Sequence, residues 1–140
     1  MNGKRCRPGC CALGLAMGLS VLVVGCASSP SSKSPPPYRL SDLEGTWSWT
    51  QDPWYGEFVL KKDGDSCTGT LDDVYEQTFG DRIADVVVSD NHIQFTRYGQ
   101  YGVQKWEGTL TTEEGVLKIA DGRWTKMGGA AGAFTAEKKK

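Results

Sequence analysis

Histidine, helical periodicity and excess positive charge are what this 140-residue chain has least of. His92 is the only histidine, so a metal site built on imidazole has one candidate ligand where several at defined spacing are needed. No window repeats apolar residues at the spacing of an amphipathic helix. The longest apolar stretch, Ala12–Val24, has thirteen residues and contains Gly14, Gly18 and Ser20, short of the ~20 a spanning helix needs. Beyond Cys26 only Cys67 remains, which excludes an intrachain disulfide there; the run Ser66-Cys67-Thr68 reads as a small buried apolar side chain. Region 41–137 holds eight Lys and Arg against seventeen Asp and Glu. A domain so acidic is repelled by nucleic acid and by anionic headgroups, so no nucleic-acid partner is expected. The Gly-rich run Gly128–Gly132 lacks the Lys-Ser/Thr of a phosphate loop. No nucleophile-elbow pattern is present. Acid pairs such as Asp72-Asp73 put adjacent strand residues on opposite faces, a poor arrangement for acid–base work. No catalytic residue, cofactor or metal is assigned.

What is present begins with a basic start (Lys4, Arg5, Arg7), the short apolar stretch, and small residues before Cys26. This is the pattern of a secretory signal. Val23-Val24-Gly25-Cys26 resembles the lipobox of bacterial lipoproteins. The resemblance implies cleavage after residue 25 and attachment of diacylglycerol, commonly with a third chain such as palmitate, to Cys26. Two chains suffice for stable anchoring, each buried CH₂ contributing ~0.8 kcal/mol. Ala27, where an Asp in many such proteins marks inner-membrane retention, then favours the outer over the inner membrane of the bacterial envelope. An uncleaved anchor and an unmodified secreted form are the alternatives. The expected organisation is a signal peptide over 1–25, a lipidated Cys and Ser/Pro tether over 26–39, and a folded domain over 40–138. Ala27–Pro37 (ASSPSSKSPPP), eleven residues in extended form, spans roughly 30 Å, enough to hold a domain just clear of the lipid surface.

In the remaining ~100 residues, short stretches alternate at period two between turn signals. Trp47 and Trp49 share a face, as do Phe58 and Leu60, then Cys67, Gly69 and Leu71. After a longer loop over 72–82 come Ile83–Ser89, then His92–Arg97 with Ile93 and Phe95 together. Val103–Thr111 aligns Trp106, Gly108 and Leu110; Val116–Ala120 and Ala133–Glu137 complete the set. That is eight strands, or nine if Arg123–Lys126 pairs independently. Consecutive hairpins of this kind predict an all-β fold: a single antiparallel up-and-down eight-stranded β-barrel. Within Ile83–Ser89, Asp85 shares parity with Ile83 and Val87 and would need a partner or a proton if that face were inward. The wholly apolar face of Ala84, Val86 and Val88 is the expected inward one, which leaves Asp85 in solvent.

Gly45-Thr46-Trp47, the Gly-Thr-Leu repeats at 69–71 and 108–110, and the closing Phe134-Thr135-Ala136-Glu137 resemble strands of the calycins (lipocalins, fatty-acid-binding proteins and avidins) and of small calycin-like bacterial lipoproteins. The resemblance implies a structural role for Trp47 at the barrel floor, with Arg123 as candidate for the late-strand Arg that packs near it. An eight-stranded barrel encloses packed side chains or one small ligand. The aromatic residues admit both readings: a pocket lined by Trp49, Trp106 and Phe95 with Trp54 and Tyr55 at its mouth, or a filled core. The expected function is non-catalytic binding of a small apolar or aromatic ligand by a membrane-anchored protein. The alternative is an envelope structural module whose filled barrel contacts a protein partner; an enzyme ranks third. If the anchor is lipid, Cys26→Ser abolishes palmitate incorporation and moves the protein from the membrane to the soluble fraction; continued membrane retention of the variant would exclude lipid on Cys26.

Overall fold

The computed structural model describes residues 38–140; the segment 1–25, Cys26 and the tether up to Pro37 lie outside the described residues. One short helix, α1 (Leu40–Leu43), precedes eight strands. These are β1 (Gly45–Gln51), β2 (Trp54–Asp63), β3 (Ser66–Asp73), β4 (Thr78–Ser89), β5 (His92–Gly99), β6 (Gly102–Glu113), β7 (Val116–Lys126) and β8 (Ala131–Lys138). Each pairs antiparallel with the next, and β8 returns to β1, so the sheet closes as an up-and-down barrel. Closure leaves no strand edge unpaired. Among the described residues no helix is long and apolar enough to cross a membrane.

Period-two alternation turns one row of each strand inward, and those rows carry the large apolar residues. Their rings form a column along the interior. Trp47 stacks on its cross-strand partner Phe58 at 5.6 Å and 10°. Phe58 meets Phe95 at 5.7 Å, and Phe95 stacks on its own partner Trp106 at 5.7 Å. Trp106 in turn meets Trp49 edge-on at 5.4 Å and Phe134 at 4.4 Å. Aliphatic side chains of Leu60, Leu71, Ile83, Ile93, Leu110 and Ile119 fill the space around the column.

The two barrel ends differ. At one, the β2–β3, β4–β5 and β6–β7 turns gather, and α1 packs there with Leu43 fully buried. The Trp47 indole N–H donates to the Leu43 carbonyl at 2.8 Å, which ties the helix to the first strand. Tyr38 brings the chain in at this closed end, its N–H on the Asp90 carbonyl and its hydroxyl beside Thr112. The β1–β2, β3–β4, β5–β6 and β7–β8 turns surround the other end, which is open.

Register shifts account for the departures from simple alternation. In β4 the break between Ala84 and Val87 sets Asp85 at φ 56°, so Ile83 and Val86 both face inward. Asp85 is exposed and accepts from the Tyr98 hydroxyl at 3.1 Å. A second shift, between Ile119 and Gly122, lets β7 run on to Lys126; Arg123–Lys126 is the second half of that strand and not a ninth one. The stretch 72–82 is mostly strand, with a tight turn only between Asp73 and Thr78. Cys67 is buried and faces inward; burial, with the Glu44 charge second, pushes its thiol pKa up. Phe58 links Trp47 to Phe95, so Phe58→Ala is expected to cost about 3–5 kcal/mol of unfolding free energy in urea titration. A cost near that of a surface substitution would show that the column is not what fills the barrel.

Candidate functional site

Inward rows that are apolar through the barrel become polar at its open end. β5 carries Ile93, Phe95 and then Arg97 on the same face; β4 contributes Thr78 and Asp81; β3 ends on Asp73; β6 contributes Gln104 near its start. Arg97, Asp73, Asp81 and Thr78 are all more than 90% buried. Charges so placed must be paired. The Arg97 Nε and one terminal nitrogen both reach Asp81 Oδ2, at 2.8 and 2.6 Å. The same terminal nitrogen donates to Thr78 Oγ1 at 3.3 Å, and the other to Gln104 Oε1 at 3.4 Å. Gly99, on β5 at the turn, makes room for the Asp81 carboxylate: a Cβ there would meet all three of its terminal atoms within 3 Å.

Above this charged floor lies a cavity of about 490 Å³, within the range usual for small-molecule sites. Trp49, Trp54, Trp106 and Trp124 line it, with Tyr101 from the β5–β6 turn. Each of the four indole N–H groups is already used by the chain. Trp49 donates to the Asp72 carbonyl at 3.2 Å, Trp54 to Glu76 Oε1 at 2.8 Å, Trp106 to Gln104 Oε1 at 3.1 Å, and Trp124 to Gln51 Oε1. What the indoles can offer a ligand is therefore carbon surface and π-faces. Polar contact must come from elsewhere. Gln104 and Gln51 both spend their carbonyl oxygens on indoles, which fixes the side of each carboxamide that carries the NH₂ donors. Gly132 leaves space for the Gln51–Trp124 pair, since a Cβ there would sit 2.5 Å from Gln51 Nε2 and 2.6 Å from Trp124 Nε1. Tyr75, from the β3–β4 turn, packs edge-on against Trp54 at 5.6 Å.

The residues expected from sequence are divided by this geometry. Trp49, Trp106 and Trp54 come together on the cavity wall. Phe95 lies one ring deeper, in the column behind Trp106. Tyr55 is half exposed on the outside of β2, because Trp54 and Gly56 take its neighbouring inward positions. Arg123 does not pack near Trp47. The register shift in β7 turns Arg123 outward, opposite Glu107 on β6, and gives the inward position to Trp124. Trp47 itself is fully buried between Phe58 and α1. Sequence reasoning missed Arg97, although its parity with Ile93 and Phe95 was a readable sign of an inward arginine. It also missed Asp73, Asp81, Gln104 and Trp124.

His92 is exposed at the closed end, its Nε2 3.9 Å from Glu107. Among the described residues no cluster of three or more His, Cys, Asp or Glu is placed to hold a metal ion. No protein-family model matches the chain, and neither does any curated protein or solved structure.

Removing the guanidinium leaves two buried carboxylates without their shared cation. Arg97→Met is expected to destabilise the fold by about 3–5 kcal/mol, read by denaturant unfolding. Adding Asp81→Leu to that variant should restore about half of the loss or more. A single-variant cost below about 1 kcal/mol would mean that the ion pair does not organise the open end.

Proposed function

We propose that this chain is a lipid-anchored bacterial envelope protein whose open barrel end binds a small molecule with an aromatic or apolar body, without transforming it. The observation that carries the reading is a cavity of about 490 Å³ with Trp54 and Trp124 at its sides over the buried Trp49 and Trp106, each indole hydrogen-bonded through its N–H and so held in place. Apolar burial against pre-positioned rings supplies the affinity, because little side-chain freedom is left to lose on binding. The aromatic column below blocks deeper entry, so the ligand is small and sits across the mouth. The calycin-like resemblance of the strands agrees with a barrel used as a container.

Attachment through Cys26 would hold the domain by its N-terminal side. Tyr38 joins the barrel at its closed end. A tether joining the barrel there, from a membrane that is by preference the outer one, leaves the mouth at the opposite end unobstructed by its own attachment.

A second reading has its own observation. Val74, Phe79, Tyr101 and Met127 are exposed on or beside the turns around the mouth, Met127 by 87%. Apolar tips of this kind suit contact with an envelope protein partner. The two readings separate by substitution. Trp54→Ala and Trp124→Ala, with folding intact, are expected to weaken ligand binding by about tenfold each, read as quenching or shift of tryptophan emission across a panel of aromatic compounds. Phe79→Ser and Met127→Ser should leave that binding unchanged. Loss of function in the envelope with the turn variants alone would instead favour the protein-contact reading.

A further inference from the structure

The charge count at the cavity floor is uneven. Arg97 is one cation among two buried carboxylates, and both of its contacts shorter than 3 Å go to Asp81. Asp73 is left with less. Its Oδ1 accepts the Glu76 backbone N–H at 3.1 Å, while its Oδ2 lies 3.9 Å from the nearest Arg97 nitrogen. Asp73 is 4% exposed and lines the cavity, so the underused oxygen belongs to a carboxylate in contact with the ligand space. A buried carboxylate with one distant cation is an unmet electrostatic demand, and low local polarity makes it stronger. Glu76, whose Oε1 holds Trp54, adds a second acid to the same lining. The indoles around them have spent their N–H donors and present electron-rich faces, which attract cations.

Resting on the binding reading above, we propose that the ligand is an organic cation: an ammonium group that docks on Asp73, carried on an apolar or aromatic body that lies against Trp54 and Trp124. The ammonium donates to Asp73 Oδ2 and completes the pairing that Arg97 leaves open. Its carbon body takes the place of water on the indole faces. Lys126, the last residue of β7, is the other cation of the lining. Its like charge opposes such a ligand, so its removal strengthens binding. An anionic ligand would meet Asp73 and Glu76 and is disfavoured.

The test titrates the folded full-length protein, in detergent, with three probes of one shape: phenethylammonium, phenethyl alcohol and phenylpropanoate. Calorimetry and tryptophan emission read the affinity. The ammonium is expected to bind about tenfold tighter than the alcohol or better, with the carboxylate weakest. Asp73→Asn should remove the ammonium's advantage while leaving the alcohol's affinity in place. Should that variant fail to fold, Lys126→Met serves, with ammonium binding expected to tighten severalfold. Equal or tighter binding of the alcohol or the carboxylate would overturn the cation assignment while leaving the aromatic cavity a binding site. An ammonium preference that survives in folded Asp73→Asn would overturn the role of Asp73. Binding of none of the three at millimolar concentration would overturn the cation and the cavity reading together.

Discussion

The stack of rings from Trp47 through Phe58 and Phe95 to Trp106 decides what the rest of this barrel can be. Eight strands enclose only enough space for packed side chains or one small ligand. Here the column occupies the closed end and the middle, and the cavity lined by the indoles lies at the open end. Two of its contacts, Trp47–Phe58 and Phe95–Trp106, join direct cross-strand partners. Packing and register therefore enforce one another: a slip by one residue would turn each ring outward. Among the described residues no disulfide braces the barrel. Cys67 is a free thiol inside it, and ring packing together with closure of β8 on β1 holds the fold.

The open end follows the opposite logic. Its inward positions hold a guanidinium, two carboxylates, a threonine and a glutamine; Arg97 holds Asp81, Thr78 and Gln104 through hydrogen bonds, while Asp73 stands 3.9 Å from it. Buried ion pairs contribute little net stability compared with apolar residues of the same shape. Their presence here makes sense as the cost of a floor with defined donors and acceptors beneath the four indoles. Gly99 and Gly132 belong to the same construction, each giving up a side chain where a carboxylate or an indole–carboxamide pair needs the room. Apolar packing dominates the end where Tyr38 joins the barrel, and buried polar groups gather at the opposite end.

Legibility in the sequence divides along the same line. The barrel, its strand count and most of its inward rows could be read, because Trp47 and Trp49, Phe58 and Leu60, Ile93 and Phe95 alternate with polar residues at period two. The start of β4 was hidden. Thr78 and Asp81 face inward and Phe79 faces out, the reverse of the usual signal, so the segment read as loop. Arg97 was hidden for a related reason, since an arginine at a strand end is ordinarily solvated. Trp124 and Arg123 exchanged places through the β7 register shift, which no periodicity argument detects. Of the expected pocket residues, Trp49, Trp106 and Trp54 reached the wall, whereas Phe95 and Tyr55 fell to either side of it. These positions broke the pattern because the open end places polar groups inside and apolar groups at its rim.

If the open end is a binding site, the protein carries a molecule there. Native mass spectrometry of the Cys26→Ser protein, purified gently from its own host, asks this without assuming which molecule it is. The account predicts a reproducible added mass that is lost on denaturation, and lost also when Trp54 and Trp124 are both replaced by alanine in a protein that still folds. A clean unliganded mass, with tryptophan emission unmoved by a panel of aromatic cations, would contradict it and leave a barrel that works through its outer surface.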